Sequence, residues 1–225
     1  LAVSTIFPIY YEYGHYLREI DGLNLKTEYL ITVYVLVLYF LMLHNHENTK
    51  FSDASFVVVS SLFVPFAFTR LMYFRDIAVY YPNKGYTNAH GIFLILFILF
   101  SACMTDTFAY FAGSFLGKHK LCPKISPKKT VEGAVGGVLG CVLANVILYA
   151  VYNNFIFENP TNNYVAVIVA SVITSIVGMC GDLTASLIKR NCGIKDFGNL
   201  IPGHGGIMDR FDSIMFVSAA FYAVF

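Results

Sequence analysis

Between Ser186 and Asp212 the chain reads SLIKRNCGIKDFGNLIPGHGGIMDRFD, which concentrates Lys189, Arg190, Lys195, Asp196, His204, Asp209, Arg210 and Asp212 in one short span. Only 13% of the 225 residues are charged, so this density, directly after a long apolar run, marks a site rather than the decoration of a core. Gly203, Gly205 and Gly206 surround His204, and glycine lets a backbone come close to a ligand. Cations, carboxylates and a glycine turn are the parts a phosphate–metal site requires. His204 either fixes that turn or contacts phosphate and moves a proton.

Two more stretches carry chemistry. Asp182, Ser186 and Lys189 follow at four and three residues, so a helix aligns them on one face, where they can line the mouth of a cavity. Asp106 lies inside the apolar run LFSACMTDTFAYFAG; an ionisable residue at such depth is costly and points to function. Tyr110 follows one turn on along the same face. Ser126-Pro127-Lys128-Lys129-Thr130 reads as the opening of a helix, with Ser, Thr and Pro suited to its first positions. Backbone N–H groups there favour anions, so Lys128 and Lys129 suit a triphosphate or an anionic headgroup. For Lys118, Lys120 and Lys124, contact with anionic lipid at the surface is an equal reading. Gly133, Gly136, Gly137 and Gly140 form small-xxx-small pairs that let helices pack closely.

The segment 186–212 resembles the signature of the phosphatidate cytidylyltransferase (CDP-diacylglycerol synthase) family. That signature runs Ser-x-apolar-Lys-Arg, four residues, Lys-Asp-x-Gly, apolar-Pro-x-His-Gly-Gly and Asp-Arg-apolar-Asp. Ser186, Lys189, Arg190, Lys195, Asp196, Gly198, Pro202, His204, Gly205, Gly206, Asp209, Arg210 and Asp212 meet every fixed position. The stretch DTFAYFAGSFLGKHKLCPKISPKKTVEG resembles a second block of the bacterial-type enzymes, so the likeness covers about residues 106–137 and 178–212.

The resemblance implies transfer of a cytidylyl group from CTP to phosphatidate, giving CDP-diacylglycerol and pyrophosphate. It implies Asp182 and Asp209 as ligands of Mg²⁺, with Asp212 close behind, Asp106 as a further candidate and room for a second cation. Catalysis falls to Asp182, Ser186, Lys195, His204, Asp209 and Asp212. Lys128, Lys129, Lys189, Arg190 and Arg210 are the substrate-binding cations. The attacking lipid phosphate already carries ~1.5 to 2 negative charges and needs no strong base; metal and cations answer the repulsion between two anions. A CTP-dependent kinase of a membrane lipid alcohol would need His204 as base. A non-enzyme reading is a transporter of an anionic solute. The implied partners are CTP, phosphatidate and membrane lipids, with a homodimer as one open arrangement.

These residues need a scaffold, and composition names its class. With 57% hydrophobic residues and so few charges, the chain departs from soluble domains, where about a quarter of residues are charged, and reads as an integral membrane protein. A net charge of +1 without a basic tail argues against nucleic acid. Five cysteines without a CxxC pair predict neither a disulfide framework nor a zinc site. Apolar runs at Tyr29–Leu43, Ala54–Phe74, Gly91–Ala112, Val131–Tyr152, Tyr164–Ile188 and from Phe211 onward compare with the ~20 residues of a spanning helix.

Because the chain starts on Leu1 and stops inside an apolar run, its natural start, with one or more spans, is expected upstream. The fold expected is an all-α polytopic bundle of about six or more transmembrane helices, strands being excluded in lipid. N-terminal helices would occupy 1–112 and the catalytic region 113–225. The loops 113–130 and 189–210 hold nine of the fifteen Lys and Arg, and the intervening 153–163 holds none. That asymmetry puts both basic loops, and the active-site mouth, on the cytoplasmic side of a bacterial cytoplasmic membrane.

Overall fold

In lipid, an apolar run can satisfy its backbone N–H and C=O groups only by closing them within a helix, and the computed structural model follows that rule. It describes residues 27–44, 51–198, 206 and 208–225. Helices α1 (Thr27–His44), α2 (Phe51–Arg75), α3 (Asn88–Leu116), α4 (Val131–Phe155), α5 (Tyr164–Asn191) and α6 (Met208–Val224) take up most of it. Four of these, over Ser55–Arg75, Asn88–Leu116, Val131–Phe155 and Tyr164–Asn191, are long and apolar enough to cross a membrane. The apolar stretch Thr32–His44 is shorter, and α6 has 17 residues.

The helices are joined by one feature that the all-α expectation lacks. Strands β1 (Lys120–Cys122) and β2 (Ser126–Thr130) form an antiparallel hairpin, pairing Lys120 with Thr130 and Cys122 with Ser126. The exclusion of strands holds for lipid; this pair lies between two spanning helices, outside them. It also corrects the reading of Ser126 and Pro127 as a helix start. Thr130, not Ser126, is the cap: its Oγ1 accepts the Gly133 N–H at 3.1 Å, and α4 begins at Val131.

Two compact units divide the chain, Leu1–Met72 and Tyr73–Phe225. Within the first, the Tyr34 hydroxyl donates to Ser61 Oγ. Within the second, α3 packs on α4, α5 and α6, and α5 packs on α4 and α6. The expected glycine seam is present: a Cβ on Gly137 would sit 2.8 Å from the Thr105 carbonyl oxygen of α3. The Ala109 Cβ would be 3.0 Å away as well, and neither it nor a backbone oxygen is the flexible end of a side chain that could yield. Gly137→Ala should therefore force α3 and α4 apart at a cost of about 1–3 kcal/mol, read as a fall in thermal midpoint. It should also lower activity, because α3 carries Asp106. An unchanged midpoint would show that the helices are not in close contact at this point.

Beside the glycines runs a seam of buried polar groups. Asn145 Nδ2 on α4 donates to Ser101 Oγ of α3 at 2.8 Å and to Ser171 Oγ of α5 at 3.1 Å. One turn further along, Thr105 Oγ1 donates to Ser175 Oγ at 2.9 Å. Asn145, Ser101, Ser171 and Ser175 are fully buried, and Thr105 is 1% exposed. Asn145 Oδ1 is left without a protein partner. Toward the N-terminal end of α3 the core is aromatic, with Phe97 against Phe221 at 4.9 Å and Phe93 against Tyr149 at 5.8 Å between ring centres.

Candidate active site

The other end of α3 opens into a cavity of about 480 Å³. Asp106, Tyr110, Gly113 and Gly117 line it from the α3 side, Lys120, Lys128 and Lys129 from the hairpin, Gly133 and Ala134 from α4, and Met179 and Asp182 from α5. Residues from three separate stretches of the chain, expected on separate grounds, thus share one space: Asp106, Lys128, Lys129 and Asp182. Tyr110 is on the Asp106 face as its spacing predicts and is 71% exposed. Thr130 packs where Gly113, Gly117 and Gly133 leave room, its Oγ1 lying 2.9 Å from where a Cβ on each would be. The absence of side chains at these three positions brings the α4 N-terminus, the positive end of its helix dipole, to the cavity wall.

Charge in the cavity is paired but not neutral. Lys129 Nζ forms an ion pair with Asp182. Both side chains remain about a quarter exposed, at 27% and 26%. Lys128 and Asp106 are exposed. Asp106 lies within electrostatic reach of Asp182, Lys129 and Asp212. Asp212, 8% exposed, accepts the Ser213 N–H at 2.7 Å and lies within reach of Asp182, Lys189 and Asp209.

The segment 186–212 builds a second cluster behind this one. Ser186, Lys189 and Arg190 belong to the last turns of α5, and Asp209, Arg210 and Asp212 to the start of α6. Asp209 ties the pieces together. Its Oδ1 accepts from Lys189 Nζ at 2.8 Å, and its Oδ2 accepts the N–H groups of Phe197 at 2.9 Å and Gly206 at 3.0 Å. Lys189 also stands 5.3 Å from the centre of the Phe197 ring. Partial burial by itself raises the Asp209 carboxyl; the bonds from Lys189 and the two N–H groups outweigh it and hold the group below the usual carboxylate range. Gly206 meets Gly198 so closely that a Cβ on it would be 2.9 Å from the Gly198 nitrogen.

Ser186 is half-buried on α5, whereas Arg190, Lys195 and Arg210 are exposed. His204 lies outside the described residues. The expected carboxylates are therefore divided. Asp106 and Asp182 face the cavity, Asp212 is buried behind them, and Asp209 has three donors on the ~4 lone-pair sites a carboxylate offers. No three His, Cys, Asp or Glu converge on one point among the described residues. A Mg²⁺ ion needs no such cage, because it takes one or two carboxylates and fills its octahedron with water and substrate phosphate. As hard oxygen donors on one cavity, Asp106 and Asp182 fit that mode.

Two contributors were missed from sequence. One is Lys120, which was not separated from its lysine neighbours. The other is the Ser101–Asn145–Ser171 seam, signalled by an amide and small hydroxyls inside otherwise apolar runs, the groups that hydrogen-bond across helices in lipid.

Comparison with known proteins gives a consistent outcome. A family model described as "Cytidylyltransferase family" matches residues 2–225, well beyond the two stretches that carried the resemblance. A phosphatidate cytidylyltransferase of Staphylococcus haemolyticus is 36% identical over 194 residues, covering 86% of this chain and 67% of the relative. One from Bacillus subtilis is 34% identical over 207 residues, covering 91% and 69%. One from Haemophilus influenzae is 38% identical over 151 residues, covering 66% and 52%. The chain thus spans about two thirds or less of the length of these curated relatives.

Proposed function

The chain belongs to the cytidylyltransferase family, and from that premise we propose that it is a membrane-embedded phosphatidate cytidylyltransferase. It moves the cytidylyl group of CTP onto the phosphate of phosphatidate, forming CDP-diacylglycerol and releasing pyrophosphate. The observation that carries this reading is the cavity in which Asp106 and Asp182 face Lys128 and Lys129 beside the α4 N-terminus. The relatives' shared name lends nothing to a CTP-dependent lipid kinase or to a transporter.

The residues divide the work as follows. Lys128 and Lys129, beside the positive end of the α4 dipole, hold phosphate oxygens and offset the repulsion between nucleotide and lipid phosphate. Asp182 holds Lys129 in place, and with Asp106 it offers the oxygen ligands for Mg²⁺; Asp212 sets the local charge from behind. Bound Mg²⁺ supplies Lewis-acid stabilisation of the charge that grows on departing pyrophosphate. Asp209 fixes the turn between α5 and α6, which presents Arg190, Lys195 and Arg210 to solvent as further phosphate cations. No side chain need act as a strong base, because the attacking phosphate oxygen is already ionised.

The protein is multi-pass, and the excess of Lys and Arg supports a cytoplasmic position for the hairpin and for the turn after α5, in a bacterial cytoplasmic membrane. Counting α1, α6 and any further spans, the bundle comes to about six or more helices.

Purified protein given labelled CTP and phosphatidate should release pyrophosphate and form CDP-lipid. CDP together with a newly phosphorylated lipid would assign a kinase instead. Sidedness has its own test, on a background without native cysteines. Cysteines at Lys118 and Lys195 should be shielded from an impermeant thiol reagent in intact cells, and one at Asn162 should label. Labelling at the two basic segments from outside would overturn the orientation and the access route for CTP.

A further inference from the structure

Sequence left Lys118, Lys120 and Lys124 equivalent, and the fold separates them. Lys120 lines the cavity with Lys128 and Lys129, whereas Lys118 and Lys124 are not part of its wall. Lys120 is exposed and forms no ion pair among the described residues, so its ammonium group is available to a ligand.

The backbone just before Lys120 is held by one side chain. Glu132, in the first turn of α4, reaches back to the mouth of the hairpin. Its Oε2 accepts the Lys118 N–H at 3.1 Å, and both of its oxygens lie 3.2 Å from the His119 N–H. Its Oε1 is also 2.6 Å from His119 Nδ1. A second tie comes from α4, whose Val131 N–H donates to the His119 carbonyl at 2.9 Å. The next residue in the strand, Lys120, pairs with Thr130. An acid beside an anion-favouring helix start would repel phosphate if its charge were open to the cavity. Here the charge is taken up by N–H donors, whose bonds to an ionised acceptor are the stronger kind.

Building on the cytidylyl-transfer reading of the cavity, we propose that Lys120 is a phosphate-binding residue of that site and that Glu132 is the positioning residue that sets it there. The ligand chemistry is a phosphate group, supplied either by the nucleotide or by the lipid. A Lys meets it as a compact point charge on a flexible stem. Such a stem gains affinity when its root is fixed, because less freedom is lost on binding.

The test is steady-state kinetics of the wild type, Lys120→Ala, Glu132→Ala and the double variant, with CTP and phosphatidate varied separately. Lys120→Ala should raise KM for one of the two substrates ~10-fold while kcat changes much less, the mark of binding shared by ground and transition states. A rise for CTP identifies the nucleotide phosphate, and a rise for phosphatidate the lipid phosphate. Glu132→Ala should raise the same KM, and the double variant should be little worse than either single one, as expected for residues acting through one another. Glu132→Gln, which keeps an acceptor oxygen, should recover part of the loss, and it carries the same comparison if Glu132→Ala cannot be purified.

An unchanged KM in Lys120→Ala, or multiplying effects in the double variant, would overturn the proposal. So would a Glu132 variant that only lowers thermal stability. Failure of the wild type to make CDP-lipid would instead strike the underlying functional reading.

Discussion

Asp182→Asn should reduce CDP-lipid formation at saturating substrates about a thousandfold, the scale on which preorganised electrostatic groups act in water-poor sites. The substitution keeps shape and one acceptor oxygen but removes the charge. Two things are then lost together: a charged oxygen donor on the cavity wall, the one proposed for Mg²⁺, and the ion-pair partner of Lys129. The released lysine offers a control, since an unpaired cation at the cavity should bind CTP at least as tightly as before. The expected pattern is therefore a collapse of kcat without a weaker KM for CTP, which is what removal of a contact needed in the transition state looks like. Asp106→Asn should follow the same direction. A wild-type rate for Asp182→Asn at limiting Mg²⁺ would move the metal away from this wall.

Asp209→Ala should cost stability as well as activity. Its carboxylate and the Lys189 ammonium are 8% and 13% exposed, and breaking a pair so placed leaves an uncompensated charge. The loss expected is about 3–5 kcal/mol, visible as a lower thermal midpoint in detergent. The N–H groups of Phe197 and Gly206 lose their acceptor in the same stroke. Asp209→Asn should fall between, because an amide oxygen still accepts an N–H but carries no charge for Lys189. A midpoint indistinguishable from wild type in the Ala variant would show that the turn is held by something else.

Much of the scaffold was legible because lipid narrows the choices. Long apolar runs become helices, and the helix starts at Val131 and Tyr164 coincide with the starts of their runs. The cavity was legible in part. Asp106 was singled out by its cost in an apolar run, and Lys128 and Lys129 by their approach to a helix start, and all three line one space with Asp182. Local signals misled at Ser126 and Pro127, where cap-forming residue types occur five positions before the helix. Pro is compatible with an edge strand, which has no further partner on one side, and Thr130 was the better cap because Gly133 sits three residues on. What sequence could not supply was pairing. The resemblance implied Asp182, Asp209 and Asp212 as ligands of Mg²⁺, with room for a second cation. Which cationic side chain each carboxylate meets was not implied, and the fold pairs Asp182 with Lys129 and Asp209 with Lys189, across gaps of 53 and 20 residues. Such pairings are set by how α5 packs against its neighbours, which periodicity within one helix does not encode.

The bonds between Asn145, Ser101 and Ser171, and between Thr105 and Ser175, bear on how such a protein is put together. Side-chain bonds across helices in a bilayer contribute only about 0.6 kcal/mol each on average, so three of them add little to the depth of the native state. Their force is in what they forbid. Leucine and phenylalanine faces slide past one another, or past acyl chains, with small penalty. If α4 slid one turn toward Phe97, Asn145 would lose both serines and meet apolar side chains, where an unmatched amide is expensive. Helices delivered singly to the membrane can therefore meet in many arrangements but settle in one. The checkpoint lies at Ser101 and Thr105, within five residues of Asp106 on the same helix, so an assembly that passes it already has its acid at the right depth.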